Sequence, residues 1–189
     1  LKGEEVTSFR KYVIVTQKST SDDTSCIKTR QPQTYSYLEN HSAWFDKRGS
    51  VIYKKRPKFC IFGIGSYSFQ QYKIAIAGLY KSTRFSLIKP MENKCVMLDD
   101  TCYLLGFDNE NTANCILKIL NSEIVQRFMK SLVFYDAKRS INKDLLMRID
   151  LEKATEKLYA TSVLSEKEYN VAMSCFEMKM VLPPLPLFA

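Results

Sequence analysis

A single apolar stripe constrains this chain more than any other feature. Ala113, Ile116, Leu117, Leu120, Ile124, Val125, Phe128 and Leu132 recur at steps of three and four over about 20 residues. That spacing puts them on one face of a helix, which must be buried against something else. Ser122-Glu123 is the candidate break that would divide it into two helices. The runs that precede it have a different pattern. Tyr72-Lys73-Ile74-Ala75-Ile76-Ala77-Gly78 and Phe85-Ser86-Leu87-Ile88 are short runs of strand character, and Lys58-Phe59-Cys60-Ile61-Phe62 reads the same way. After the turn Pro90-Met91-Glu92-Asn93-Lys94, Cys95-Val96-Met97-Leu98 and Cys102-Tyr103-Leu104-Leu105 continue the series.

Shorter signals fill in the rest. Lys11-Tyr12-Val13-Ile14-Val15 predicts a first strand, and the polar residues 16–31 predict a flexible loop. Tyr37, Leu38, His41, Trp44 and Phe45 share a helix face within 34–46, closed by Gly49. Asn142 is a candidate cap for a short helix opening at Lys143. Residues 152–160 and 165–180 predict two further helices, and Pro183-Pro184-Leu185-Pro186 ends the chain extended. The fold class expected is mixed α+β. An antiparallel or mixed sheet core occupies the N-terminal two-thirds, and packed helices lie toward the C-terminus.

Charge sorts the chain by function. Of its 189 residues, 1–94 hold 17 Lys/Arg against 7 Asp/Glu, a net of +10. Residues 95–189 hold 11 against 13, and within 47–94 there are 11 basic residues and one acidic residue, Glu92. A basic half joined to a nearly neutral half points to a polyanionic partner. No apolar run reaches membrane-spanning length, and the N-terminus has no signal-peptide pattern. The six cysteines form no C-x-x-C pair and the single His41 is remote from them, so zinc has no ligand set by spacing. Reduced thiols in a cytoplasmic protein are the expectation.

Catalytic patterns are sparse. His41 would have to serve any Ser-His-Asp or Cys-His arrangement, yet it sits beside Trp44 and Phe45 on a helix face. Asp99-Asp100 is the strongest acidic pair, the basis for an alternative reading as a metal-dependent nuclease. Adjacent strand carboxylates point to opposite faces, however, and a turn-anchoring role is the simpler one. Gly63-Ile64-Gly65 lacks the third glycine of a dinucleotide loop. No Asn/Asp-Pro-Pro-Tyr/Phe motif is present for holding an extruded amino-bearing base. Basic residues interleaved with aromatics remain. Lys54, Lys55, Arg56, Lys81 and Arg84 are candidates for phosphate, with Ser66, Tyr67, Gln70, Gln71 and Arg139 nearer the bases. Phe59, Phe62 and Tyr72 are assigned to the core. A third reading makes helices 110–132 and 152–180 a docking module for a partner protein.

Ordered segments carry a resemblance. Tyr37-Leu38-Glu39 through Phe45-Asp46-Lys47-Arg48-Gly49-Ser50 is followed by Pro57–Phe69, Tyr72–Lys81 and Val96–Tyr103. Ile116–Ser122 and Tyr135–Leu146 complete the set. Together they resemble the C-terminal target-recognition (specificity) domain of bacterial adenine-specific DNA methyltransferases and type II restriction-modification enzymes, over roughly residues 35–150. The resemblance implies double-stranded DNA as partner. It also implies a separate catalytic domain in the same parent chain that binds S-adenosylmethionine, a nuclease fused in some relatives, and no catalytic site in this fragment. It divides the chain into a recognition domain over 1–150 and a helical extension over 151–189 packing on it.

Overall fold

The computed structural model describes residues 12–181 apart from Lys81, Asp100, Tyr135, Ala137 and Lys138. The fold is mixed α+β, with a three-stranded antiparallel sheet and helices concentrated toward the C-terminus. The chain divides into two compact units, the first ending at Gly65 and the second beginning at Ser66. This boundary marks compactness, a different property from the functional division near 150 read from sequence.

The first unit is built from short helices and turns. Ile27–Arg30 forms α1, Pro32–Asn40 α2 and Ser42–Asp46 α3. Proline at the first position of α2 costs nothing, since that N–H has no partner within a helix. The helix expected over 34–46 is thus two helices interrupted at His41, whose Nδ1 donates to the carbonyl of Tyr37 at 2.7 Å. Phe59 is the hub. It is buried, with Tyr35 edge-on at 5.8 Å and Phe45 edge-on at 5.1 Å. Leu38, Ile27, Cys60 and Ile64 complete the buried apolar set.

Two expected strands do not form here. Lys11 lies outside the described residues, and 12–17 form no strand; Tyr12 to Val15 are exposed. Residues 58–62 form turns instead, and Phe62 is exposed where the sequence reading placed it in the core. The cause is visible in the hydrogen bonds. Buried Gln17 accepts from Ile61 N at 3.0 Å and donates to Ile61 O at 3.3 Å, and Thr16 Oγ1 donates to Phe59 O at 2.8 Å. Side chains satisfy the backbone that a β-ladder would otherwise have paired. Nor is 16–31 a free loop. Asp22 accepts from Lys18 N and Ser19 N at 3.0 and 2.9 Å, Thr24 is buried, and α1 closes the segment.

The second unit has a layered core. Tyr72–Ala77 forms the central strand β1, flanked by Ser86–Ile88 (β2) and Cys102–Phe107 (β3), both antiparallel to it. Lys73, Ile74, Ala75 and Ile76 are all buried, the pattern of a strand covered on both faces. Residues 95–98 form no strand. The expected turn does form, with Met91 and Lys94 bridged across Glu92 and Asn93, both at positive φ as a type I′ turn requires.

Five helices follow. The apolar stripe divides at the candidate break into α4 (Glu110–Leu120) and α5 (Glu123–Leu132). Asn109 caps α4 by accepting from Thr112 N at 3.1 Å. Asn142 caps the short α6 (Lys143–Leu146) through Leu145 N at 2.9 Å, as the sequence indicated. Asp150 caps α7 (Leu151–Ala160), and a Ser165–Glu168 capping box opens α8 (Glu166–Val181). Ile74, Ile76, Leu105 and Phe107 share one buried cluster with Ile116, Ile119, Leu120, Leu158 and Ala172. The helices offered as a docking module therefore bury their apolar stripes in this unit's own core.

Candidate nucleic-acid interface

In the first unit, Val51–Lys55 winds into a 3-10 turn capped by Ser50, whose Oγ accepts from Ile52 N at 3.3 Å. Lys54 and Lys55 lie on this turn and Arg56 directly follows; all three are exposed. Among the described residues none of the three forms an ion pair, so the cluster keeps its charge available to an anion.

Two neighbouring cations have other duties. Arg48 donates to the carbonyls of Cys60 and Lys58, each at 2.7 Å, and to Phe45 O at 3.2 Å. Its guanidinium also lies 3.9 Å from the Tyr53 ring centroid and 5.0 Å from that of Phe45. Its planar fork meets three acceptors and two rings, a task lysine could not perform. Lys58 pairs with Glu39 at 2.9 Å, and this contact raises the Lys58 pKa and lowers that of Glu39.

In the second unit, the sequence-predicted residues fall at opposite ends of the sheet. A 3-10 turn over Ser66–Phe69 delivers the chain to the start of β1. Ser66 and Gln71 are exposed there, and Tyr67 is half-buried. Gln70 turns inward. A Cβ on Gly106 would stand 2.6 Å from Gln70 Cγ, so glycine is what lets this side chain lie across β3. Buried Lys73 donates to the Gln70 carbonyl at 2.6 Å, and desolvation lowers its pKa. The amine thus fixes the turn carrying Tyr67 and Gln71.

Arg84 belongs to the far end. The pairing of Ala75 with Ser86 and of Ala77 with Cys102 carries the β1–β2 loop and the start of β3 to the same edge. Gly78 N donates to Thr101 O at 2.8 Å, and a Cβ on Gly78 would stand 3.0 Å from the Ile141 carbonyl. Arg139 is exposed two residues before Ile141. Six strand residues separate this edge from Gln71, about 20 Å at the usual strand rise. Lys81 lies outside the described residues.

What holds the β1–β2 loop was not anticipated from sequence. Gln126, buried at the start of α5, accepts from Thr83 Oγ1 at 2.8 Å and donates to Thr83 O at 3.0 Å and Leu120 O at 2.9 Å. Asn121 pairs with both backbone groups of Phe85, accepting from N at 3.0 Å and donating to O at 2.9 Å. Thr83 and Phe85 are thereby held inward, and Arg84 between them is exposed. The only sequence signal was the presence of two amides flanking a helix break. Tyr80, also on this loop, is 59% exposed.

The acidic candidate forms a turn. Asp99 accepts from Thr101 N at 2.9 Å and from the Thr101 hydroxyl, and these bonds lower its pKa. Asp100 lies outside the described residues. Among the described residues no three His, Cys, Asp or Glu side chains gather as a metal site. No disulfide forms among the six cysteines; Cys26 is exposed, whereas burial pushes the Cys115 thiol up to about 11. No described helix is long and apolar enough to cross a membrane.

A curated relative bears on this geometry. It is 43% identical over 148 residues to the type II methyltransferase M.NspV of Nostoc sp. (strain ATCC 29411 / PCC 7524). The match covers 78% of this chain and 31% of that protein, so the chain spans about a third of the length of the curated relative it matches. The chain is thus related in sequence to a type II methyltransferase. No family model matches it, and no solved structure does.

Proposed function

We propose that this chain is the target-recognition part of an adenine-specific type II DNA methyltransferase of a bacterial restriction-modification system. It binds double-stranded DNA in the cytoplasm and contributes no catalytic group. Residues 1–150 serve recognition and 151–189 form a helical extension. The remainder of the parent chain holds S-adenosylmethionine and transfers the methyl group. The observation that carries this reading is the 43% identity to M.NspV over 148 residues, in a chain whose first half is strongly basic. Exposed, uncompensated Lys54, Lys55 and Arg56 meet phosphates. Arg84, held outward by the Asn121 and Gln126 amides, joins Arg139 at one sheet end, with Ser66, Tyr67 and Gln71 at the other; the inward-turned Gln70 drops out of the contact set. Contacts about 20 Å apart match roughly six base steps of duplex.

Fluorescence anisotropy on a labelled random-sequence duplex pool, at about 50 and 200 mM salt, tests this reading. Binding should weaken steeply with salt. Replacing Lys54, Lys55 and Arg56 together by Gln should flatten the slope of log K against log salt by about 2 to 3. A variant that binds with the slope of the parent chain would remove these three residues from the interface.

A further inference from the structure

Trp44 is the chain's one tryptophan, and it stands 72% exposed on α3. The sequence pattern placed it on an apolar helix face with Phe45. Phe45 does turn inward against Phe59, but the indole of Trp44 points away from that core. The Lys47 ammonium lies 5.4 Å from the indole centroid. One residue further, Arg48 stacks on Tyr53 and so ties the end of α3 to the turn bearing Lys54 and Lys55. The exposed ring therefore sits in the same compact unit as the uncompensated cations and is connected to them through a single guanidinium.

We infer that Trp44 and Lys47 form a nucleic-acid contact, in which the indole stacks on an exposed base face and Lys47 meets the adjoining phosphate. An exposed indole needs a flat, polarisable partner, and every base supplies one. The neighbouring charge selects between partners. Lys47, Lys54, Lys55 and Arg56 are exposed, Glu39 is already engaged by Lys58, and Asp46 is the one other carboxylate on α2 and α3. Burying that many cations under an apolar protein surface would cost heavily in desolvation, whereas a nucleic acid brings a phosphate beside each base. Bases within an intact duplex hide their faces, so the contact favours DNA carrying an unpaired base.

This inference rests on the DNA-binding reading above, and the same sample tests the two separately. Indole emission and its quenching by acrylamide report on Trp44 alone, while anisotropy of the labelled DNA reports binding. The probes are an intact 20-base-pair duplex and the same duplex with an abasic site opposite a central base. With the abasic duplex, emission should fall and acrylamide access should drop. Trp44→Ala should weaken that binding about tenfold, and Trp44→Phe should retain part of it. DNA binding with unchanged emission and access would overturn the Trp44 contact and leave the recognition reading standing. No binding of either duplex would overturn both.

Discussion

The two compact units reach order by different means. In the second, backbone pairs with backbone: β1 is laddered on both edges, and apolar stripes from α4, α7 and α8 share its cluster. In the first, side chains bond to backbone. The Gln17 amide grips Ile61, Arg48 gathers three carbonyls, and a single ring, Phe59, anchors the apolar set. Periodic order is stabilised by many interchangeable contacts, whereas order of the second kind depends on a few irreplaceable ones. Losses should therefore be concentrated in the first unit and distributed in the second.

The sharpest test of that difference is Phe59→Ala. Removing a buried phenylalanine costs about 3–5 kcal/mol, and here the whole apolar centre goes with it. Hydrogen exchange should show lost protection throughout residues 27–64 and little change across 72–77 and 102–107. Equal loss in both regions would mean that the units unfold as one. A smaller effect is expected within the second unit. Gln126→Ala strips the partners from buried Thr83 and from the Leu120 carbonyl, at about 2–3 kcal/mol. Exchange should accelerate at residues 82–86 while the β1–β3 pairs keep their protection. Uniform acceleration across the sheet would show that the amide supports the core and not the loop alone.

The same contrast decides what could be read from sequence. The stripe from Ala113 to Leu132, its break at Ser122, the Asn142 cap and β1 were legible because periodicity and capping chemistry are local. The runs at 12–15, 58–62 and 95–98 have strand composition but form no strand. Whether Gln17 or a neighbouring strand satisfies Ile61 depends on contacts 44 residues apart, which local pattern does not carry. The candidate interface divides the same way. The exposure of Lys54, Lys55 and Arg56 followed from a dense charge run. The Asn121 clamp on Phe85 and the Gln126 clamp on Thr83, at separations of 36 and 43 residues, left no local signature. Trp44 misled because a helix of five residues is too short to have a buried side set by periodicity.

The smallest effect expected tests how redundant the second unit is. Glu168 closes the capping box of α8 through Ser165 and also reaches back to Lys118 on α4 at 2.7 Å. The Lys118 bond first, then those from Ser165, hold its carboxyl at about 2, against an ordinary value of 4.5. A carboxylate depressed on folding adds stability that is complete above its unfolded pKa and is lost as pH falls through the folded one. Glu168→Gln can still accept from Ser165 but surrenders the charge. The pair is partly exposed, which limits the loss to about 1 kcal/mol near neutral pH. In urea titrations the gap between the variant and the parent chain should hold above about pH 5 and close between about 4.5 and 2. A gap that persists undiminished at pH 2 would assign the cost to cap geometry rather than charge. A gap well above about 1 kcal/mol would place an irreplaceable contact in the second unit, whose contacts are otherwise redundant.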